Sequence, residues 1–150
     1  MLSKVVCIYS RKEVSSKWDG GTTWNREHVW PQSTGWFKKS GAGSDLHHIR
    51  PETPSVNSSR GNKAFGTKSG QYLPVDEAKG DVARILMYLY MHYSKEVSAN
   101  SSHSKAGALA ITNIAYTSSK TASAAWDMLV EWNELDPVST FESNRNNYCA

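Results

Sequence analysis

Two regimes of apolar spacing divide the chain. From Asp76 onward, apolar residues recur at helical intervals. Val82, Ile85, Leu86, Leu89 and Tyr93 fall on one face, which predicts a helix over about 77–93 with Asp76 as its N-cap and Glu77 and Asp81 in or near the first turns. The same spacing predicts a second helix over about 121–134, with Trp126, Leu129, Val130 and Asn133 on one side. Asp136-Pro137 then reads as N-cap and first helical position of a short helix reaching about Asn147. The stretch between the first two helices, about 94–123, is dominated by Ser, Ala, Thr and Asn and predicts an exposed loop followed by weakly specified helix.

The first half lacks that period. It is rich in Gly, Ser, Pro and Trp with short apolar runs, the mark of strands, turns and loops. Val5 to Tyr9 and the runs around His28 and His48 are the strand candidates, with Pro51 and Pro54 ending any strand after Arg50. A short helix can start near Thr53 to Ser55 and run toward Gly61. The expected class is α+β, a small β element backed by a mostly helical scaffold. At 150 residues the chain is one domain's worth, and no apolar run is long enough to span a membrane.

Charge adds a location. The net charge of +3 is modest, but residues 26 to 68 hold seven basic side chains against three acidic ones, and the remainder is balanced to within one charge. A basic field confined to one segment suits a polyphosphate ligand, although a solvated surface balanced by acidic neighbours would read the same way. Cys7 and Cys149 stand near opposite ends and could pair only if the termini meet.

That basic segment also carries the chemistry. Asn25-Arg26-Glu27-His28 places three functional groups where a structural strand would alternate apolar residues. Residues 44 to 66 follow with Asp45, His47, His48, Arg50, Asn57, Arg60 and Asn62 around the apolar anchors Leu46, Ile49 and Val56, a polar density that core building does not explain. Phosphodiester hydrolysis needs a group to take a proton from water, a Lewis acid for the phosphoryl and leaving oxygens, and cations for the polyanion. His28 suits the first task, and Glu27 and Asn57 offer oxygen ligands to a hard ion. Arg50 and Arg60 can meet phosphate oxygens in bidentate fashion.

These blocks, NREHVWPQS, DLHHIRPE, VNSSRGNKAFG, KGDVARILMYLY and DPVSTFESNRN, occur in that order over about residues 5 to 148. Together they resemble the bacterial endonuclease I family of ββα-metal (His-Me finger) nucleases. The resemblance implies a finger of two antiparallel strands and a helix around one divalent cation, usually Mg²⁺ with Mn²⁺ or Ca²⁺ as alternatives. By position it makes His28 the general base and Glu27 and Asn57 the metal ligands. Arg50 is expected to assist catalysis, and Arg26, His47, His48, Arg60, Asn62, Lys38 and Lys39 to contact substrate. It further implies a hydrolase of DNA and/or RNA, a secreted or periplasmic location, and a domain truncated at its C-terminus. No recognition-helix pattern is visible, so a largely nonspecific enzyme is expected, and no feature calls for an obligate protein partner, so a monomer is expected.

Neighbours in a regular strand point to opposite faces, so an irregularity is expected at 26–28 if Glu27 and His28 are to share one ion; in a regular strand Glu27 would reach it through water. Two other classes compete with an enzyme. A noncatalytic nucleic-acid-binding domain would use the same basic segment but gives no reason for the Glu-His pair and the distant Asn. A zinc protein would need a closed set of nitrogen and sulfur ligands, and neither HExxH nor Cys-x-x-Cys spacing occurs.

Overall fold

The computed structural model describes residues 3–35, 40–95 and 109–149. Its order is β1 (Lys4–Val6), β2 (Glu13–Ser15), β3 (Asn25–His28), a single turn α1 (Gln32–Gly35), β4 (Ile49–Glu52), α2 (Pro54–Arg60), α3 (Asp76–Tyr93), α4 (Ala122–Leu135) and α5 (Thr140–Cys149). The fold is α+β: β1 pairs with β2 and β3 with β4, each an antiparallel two-stranded sheet, and the helices form the larger layer.

The helical half follows the apolar spacing with local differences. On α3, Val82, Leu86 and Leu89 are fully buried and Ile85 nearly so. Asp76 is the first helical residue and Val75 precedes it, so Asp76 is not the cap; its carboxylate takes Lys79 Nζ at 2.6 Å instead. On α4 the buried face is Ala125, Met128, Leu129 and Trp132, while Val130 is 47% exposed, a rotation of the expected face by about one residue. Thr121 caps α4 by accepting from Ala124 N at 3.3 Å.

The last helix begins later than Asp136-Pro137 suggests. Ser139 Oγ accepts from Glu142 N at 3.2 Å, and Glu142 Oε2 accepts from Ser139 N at 3.0 Å. This reciprocal capping box satisfies two helix-end donors and outcompetes the Asp-Pro start. Asp136 instead closes α4 and reaches across to α3, where its Oδ2 accepts from Gly80 N at 2.9 Å.

In the first half, β1 stops at Val6; Cys7, Ile8 and Tyr9 are buried in a turn that leads to β2, a strand the apolar pattern does not announce. β4 continues through Pro51 to Glu52. The proline is tolerated because its carbonyl accepts from Ile8 N at 2.9 Å on the side away from β3, so its missing N–H is not one the β3 ladder needs. The ladder itself is unbroken: Asn25, Arg26, Glu27 and His28 oppose Glu52, Pro51, Arg50 and Ile49 in turn. The irregularity expected at 26–28 is absent, and plain alternation buries Glu27 while leaving His28 half-buried and Arg26 exposed. Cys7 and Cys149 are free thiols. Among the described residues no helix is long and apolar enough to cross a membrane.

The α3–α4 contact is close enough to set the sign of a substitution. A Cβ on Gly80 would stand 1.9 Å from the Asp136 carbonyl oxygen, which is backbone and cannot swing aside. Gly80→Ala would ordinarily favour the helix by about 1 kcal/mol. Here overpacking of about 1–3 kcal/mol opposes that gain, together with loss of the Asp136 contact at Gly80 N. The variant is expected to unfold at lower urea than the parent, measured by far-ultraviolet circular dichroism.

Candidate active site

Two antiparallel strands, one connecting residue and a short helix make a ββα unit from β3, β4 and α2. Thr53 and Pro54 start α2 directly after β4, and Gly61, at φ +55°, ends it. A cleft of about 390 Å³ opens on this unit. Asn25 to His28 of β3, Pro31 to Ser33 of the following turn, and Asn57, Ser58, Gly61 and Asn62 line it.

His28 is oriented by a backbone carbonyl. Its Nε2 lies 2.9 Å from the Gly43 oxygen. A carbonyl only accepts, so Nε2 carries the proton and the neutral ring has its lone pair on Nδ1. That tautomer can take a proton from water.

Glu27 is buried, and its Oε1 accepts two bonds, from Tyr9 Oη at 2.7 Å and from Arg60 Nη1 at 2.5 Å. Burial pushes its carboxyl above the ordinary value while Arg60 and Tyr9 pull against that shift. Oε2 takes no hydrogen bond among the described residues. Asn57 is fixed in one sense by donating Nδ2 to Asn25 Oδ1 at 2.7 Å, and its amide oxygen has no donor among the described residues. One carboxylate oxygen and one amide oxygen, both uncommitted and lining one cleft, fit a hard divalent cation that keeps several waters. Among the described residues, no group of three or more His, Cys, Asp or Glu side chains is arranged to hold a metal ion by itself.

Several expected substrate contacts lie elsewhere. Arg60 is fully buried. It donates to Glu27, to the His28 carbonyl at 3.1 Å and to the Val29 carbonyl at 2.7 Å, so it braces the site and has no surface to offer phosphate. His48 is also fully buried: Nε2 accepts from Trp30 N at 2.9 Å and Nδ1 donates to the Ala42 carbonyl at 2.7 Å. Its expected substrate contact gives way to a structural one for the same reason. Arg50 is 3% exposed and lines a second cleft of about 330 Å³ together with His47, Asp81, Arg84 and Arg145, outside the one that holds His28. Its Nη2 lies 3.8 Å from Asp81, and its Nε and Nη2 make no hydrogen bond among the described residues. Arg26 and Asn62 do line the His28 cleft and are exposed. Lys38 and Lys39 lie outside the described residues.

Tyr9, Asn25 and Gly43 are the site's supporting residues that sequence reasoning missed. Asn25 adjoins the Arg-Glu-His block and was within reach of inspection. Tyr9 and Gly43 act through long-range contacts that no local pattern announces.

An α+β chain whose ββα unit presents a histidine and two oxygen donors to one cleft is consistent with the ββα class of nuclease folds. The chain belongs to the Endonuclease I family, whose profile matches residues 1–73 and 66–150. It is 34% identical over 160 residues to an extracellular ribonuclease of Bacillus subtilis (strain 168) and 32% identical over 170 residues to an extracellular ribonuclease of Bacillus amyloliquefaciens. Each alignment covers 96% of this chain and 53% of the relative, so the chain spans about half the length of the curated relatives it matches.

His48 gives the site a measurable pH signature. Burial lowers its pKa from the ordinary 6.5 to about 4, with His28 adding to the shift. The unfolded chain therefore takes up the proton first. The stability that neutral His48 contributes is whole above about pH 6.5 and is lost as pH falls toward about 4, to a limit of about 3 kcal/mol. His48→Gln, which retains a donor and an acceptor, is expected to flatten this part of the profile. Urea midpoints of parent and variant at pH 7 and pH 4.5 measure it; equal slopes would contradict the assignment.

Proposed function

We propose that this chain is a divalent-metal-dependent, largely sequence-nonspecific endonuclease that hydrolyses phosphodiester bonds of RNA and/or DNA. The observation that carries the reading is the meeting, in one cleft, of a histidine whose tautomer is fixed by the Gly43 carbonyl with the uncommitted oxygens of Glu27 and Asn57. Family membership supports the reaction class. That the relatives are extracellular ribonucleases supports RNA as a substrate and a secreted protein.

In this reading His28 Nδ1 takes the proton of the attacking water, while the Nε2–H bond to Gly43 keeps the ring from turning. Asn57 directly, and Glu27 through water because β3 is regular, would hold a Mg²⁺-type ion, which when bound would supply the Lewis acidity that offsets charge on the phosphoryl and leaving oxygens. Tyr9 and Arg60 fix the rotamer of Glu27, and Asn25 fixes that of Asn57. Arg26, exposed on the rim, meets backbone phosphates, as does Asn62 with its amide. Contacts of this kind address the phosphodiester rather than base edges, hence the low sequence specificity.

Plasmid DNA and a structureless RNA incubated with Mg²⁺, with and without EDTA, test the activity as a whole. His28→Ala is expected to lower turnover by at least ~10²-fold with an unchanged melting curve. A near-parental rate would remove His28 from the mechanism. Asn57→Ala is expected to move the Mg²⁺ midpoint of activity upward, with partial recovery at high Mg²⁺, because one ligand of a hard-ion site is gone. An unchanged midpoint would make Asn57 a structural residue.

A further inference from the structure

One exposed aromatic cluster abuts the cleft and has no part in the chemistry above. The turn from Trp18 to Trp24 is rigid: Asp19 accepts from Thr22 N at 3.0 Å, from Thr23 N at 3.1 Å and from Thr23 Oγ1 at 2.6 Å. Gly20 and Gly21 sit at φ +78° and +92°, where a side chain would be strained. The turn brings Trp18 against Trp24 at 5.0 Å between ring centroids, in an edge-on arrangement. The Arg26 guanidinium lies 5.0 Å from the Trp18 ring centroid.

This cluster touches the proposed site directly. Arg26 lines the His28 cleft. A Cβ built on Gly21 would stand 3.7 Å from both the tip of Trp18 and the Cβ of Asn25, the residue that orients Asn57. Trp18 is nonetheless 47% exposed. A large aromatic left half in water, held by a stiff turn and an arginine, is costly as packing and well suited to stacking.

We propose that Trp18 is a base-stacking platform at the rim of the cleft, which binds an unpaired nucleobase of the substrate strand while Arg26 meets the neighbouring phosphate. The occupant is single-stranded nucleic acid, because a base paired within a duplex cannot offer its face to an indole. This rests on the nuclease reading, which supplies the substrate strand. Trp18 then determines preference for unpaired over duplex regions and contributes to binding rather than to the proton-transfer step. Stacking tolerates any base, so the platform adds no sequence specificity.

Binding of a fluorescently labelled 12-nucleotide single strand, followed by anisotropy in EDTA to prevent turnover, tests it. The comparison ligands are the same strand annealed to its complement and the same strand carrying abasic sites throughout. Trp18→Ala is expected to weaken single-strand binding by roughly 5- to 100-fold, and to change duplex and abasic-strand binding by less than about twofold. Trp18→Tyr should restore most of the loss; Trp18→Leu, which keeps apolar bulk without a π face, should not. Equal losses on all three ligands, or full rescue by Trp18→Leu, would overturn the platform. Should Trp18→Ala prove unfolded by circular dichroism, the Tyr and Leu pair decides the matter. Failure of the parent to cleave either plasmid DNA or single strands with Mg²⁺ would sink the nuclease reading and leave the binding comparison standing.

Discussion

The contact on which the rest depends is the buried pair of Arg60 and Glu27. Both side chains are almost wholly removed from water, 0% and 5% exposed, and their nearest atoms are 2.5 Å apart. Burying two charges is costly, and the attraction repays it only when further hydrogen bonds complete the geometry. Tyr9 supplies one to Glu27, and the carbonyls of His28 and Val29 accept two from Arg60. The Arg60 guanidinium also lies over the Phe65 ring at 4.5 Å from its centroid. One cation thus ties α2 to the end of β3 and to the core. Removing either partner would strand the other in the interior, a loss of about 3–5 kcal/mol by comparison with other buried pairs.

That tie also dictates which atoms face the cleft. With Oε1 of Glu27 occupied by Arg60 and Tyr9, only Oε2 is left for a ligand. Because Arg60 grips the carbonyls of residues 28 and 29, His28 leaves the strand at a fixed angle. Its ring is then set from the other side by Gly43, in the short 3₁₀ turn Gly41–Gly43. Buried His48 holds the same turn through the Ala42 carbonyl and reaches back to Trp30 N. The described residues between β3 and β4, 29–35 and 40–48, thus include a folded-back support for one imidazole.

A second network, built around Arg50 of β4, has a different character. Arg50, Arg11 and Arg84 converge on Asp81, and Arg84 continues to Glu142 at 2.6 Å. Burial and the nearby Glu142 push the Asp81 carboxyl up to about 6 even with these cations around it. Arg145 donates to the carbonyls of Leu46 and Ile49 and so fastens α5 to the residues leading into β4. The helical scaffold thereby holds the strand that carries the ladder partner of Glu27, without contributing to the His28 cleft itself.

The sequence by itself determined the division of the chain, the buried face of α3, the extent of α2 and of α4, and the segment in which the candidate chemistry lies. These are local properties: apolar period, proline and glycine at helix ends, and charge density over a short window. Its block order also carried the family, which the profile match supports over the whole chain. Tertiary structure decided the rest, because it turned on contacts between residues far apart in sequence. Arginine and histidine look alike in a sequence whether they face water or brace a core. Only folding shows Arg60 spanning 33 positions to Glu27, and His48 enclosed between Trp30 and Ala42. Asp136 resembled a helix start, but the Ser139–Glu142 capping box offered two satisfied helix-end donors, and Gly80 on α3 offered Asp136 an N–H. The placement of Arg50 in a separate cleft followed from what packs against β4, which no spacing within the strand encodes.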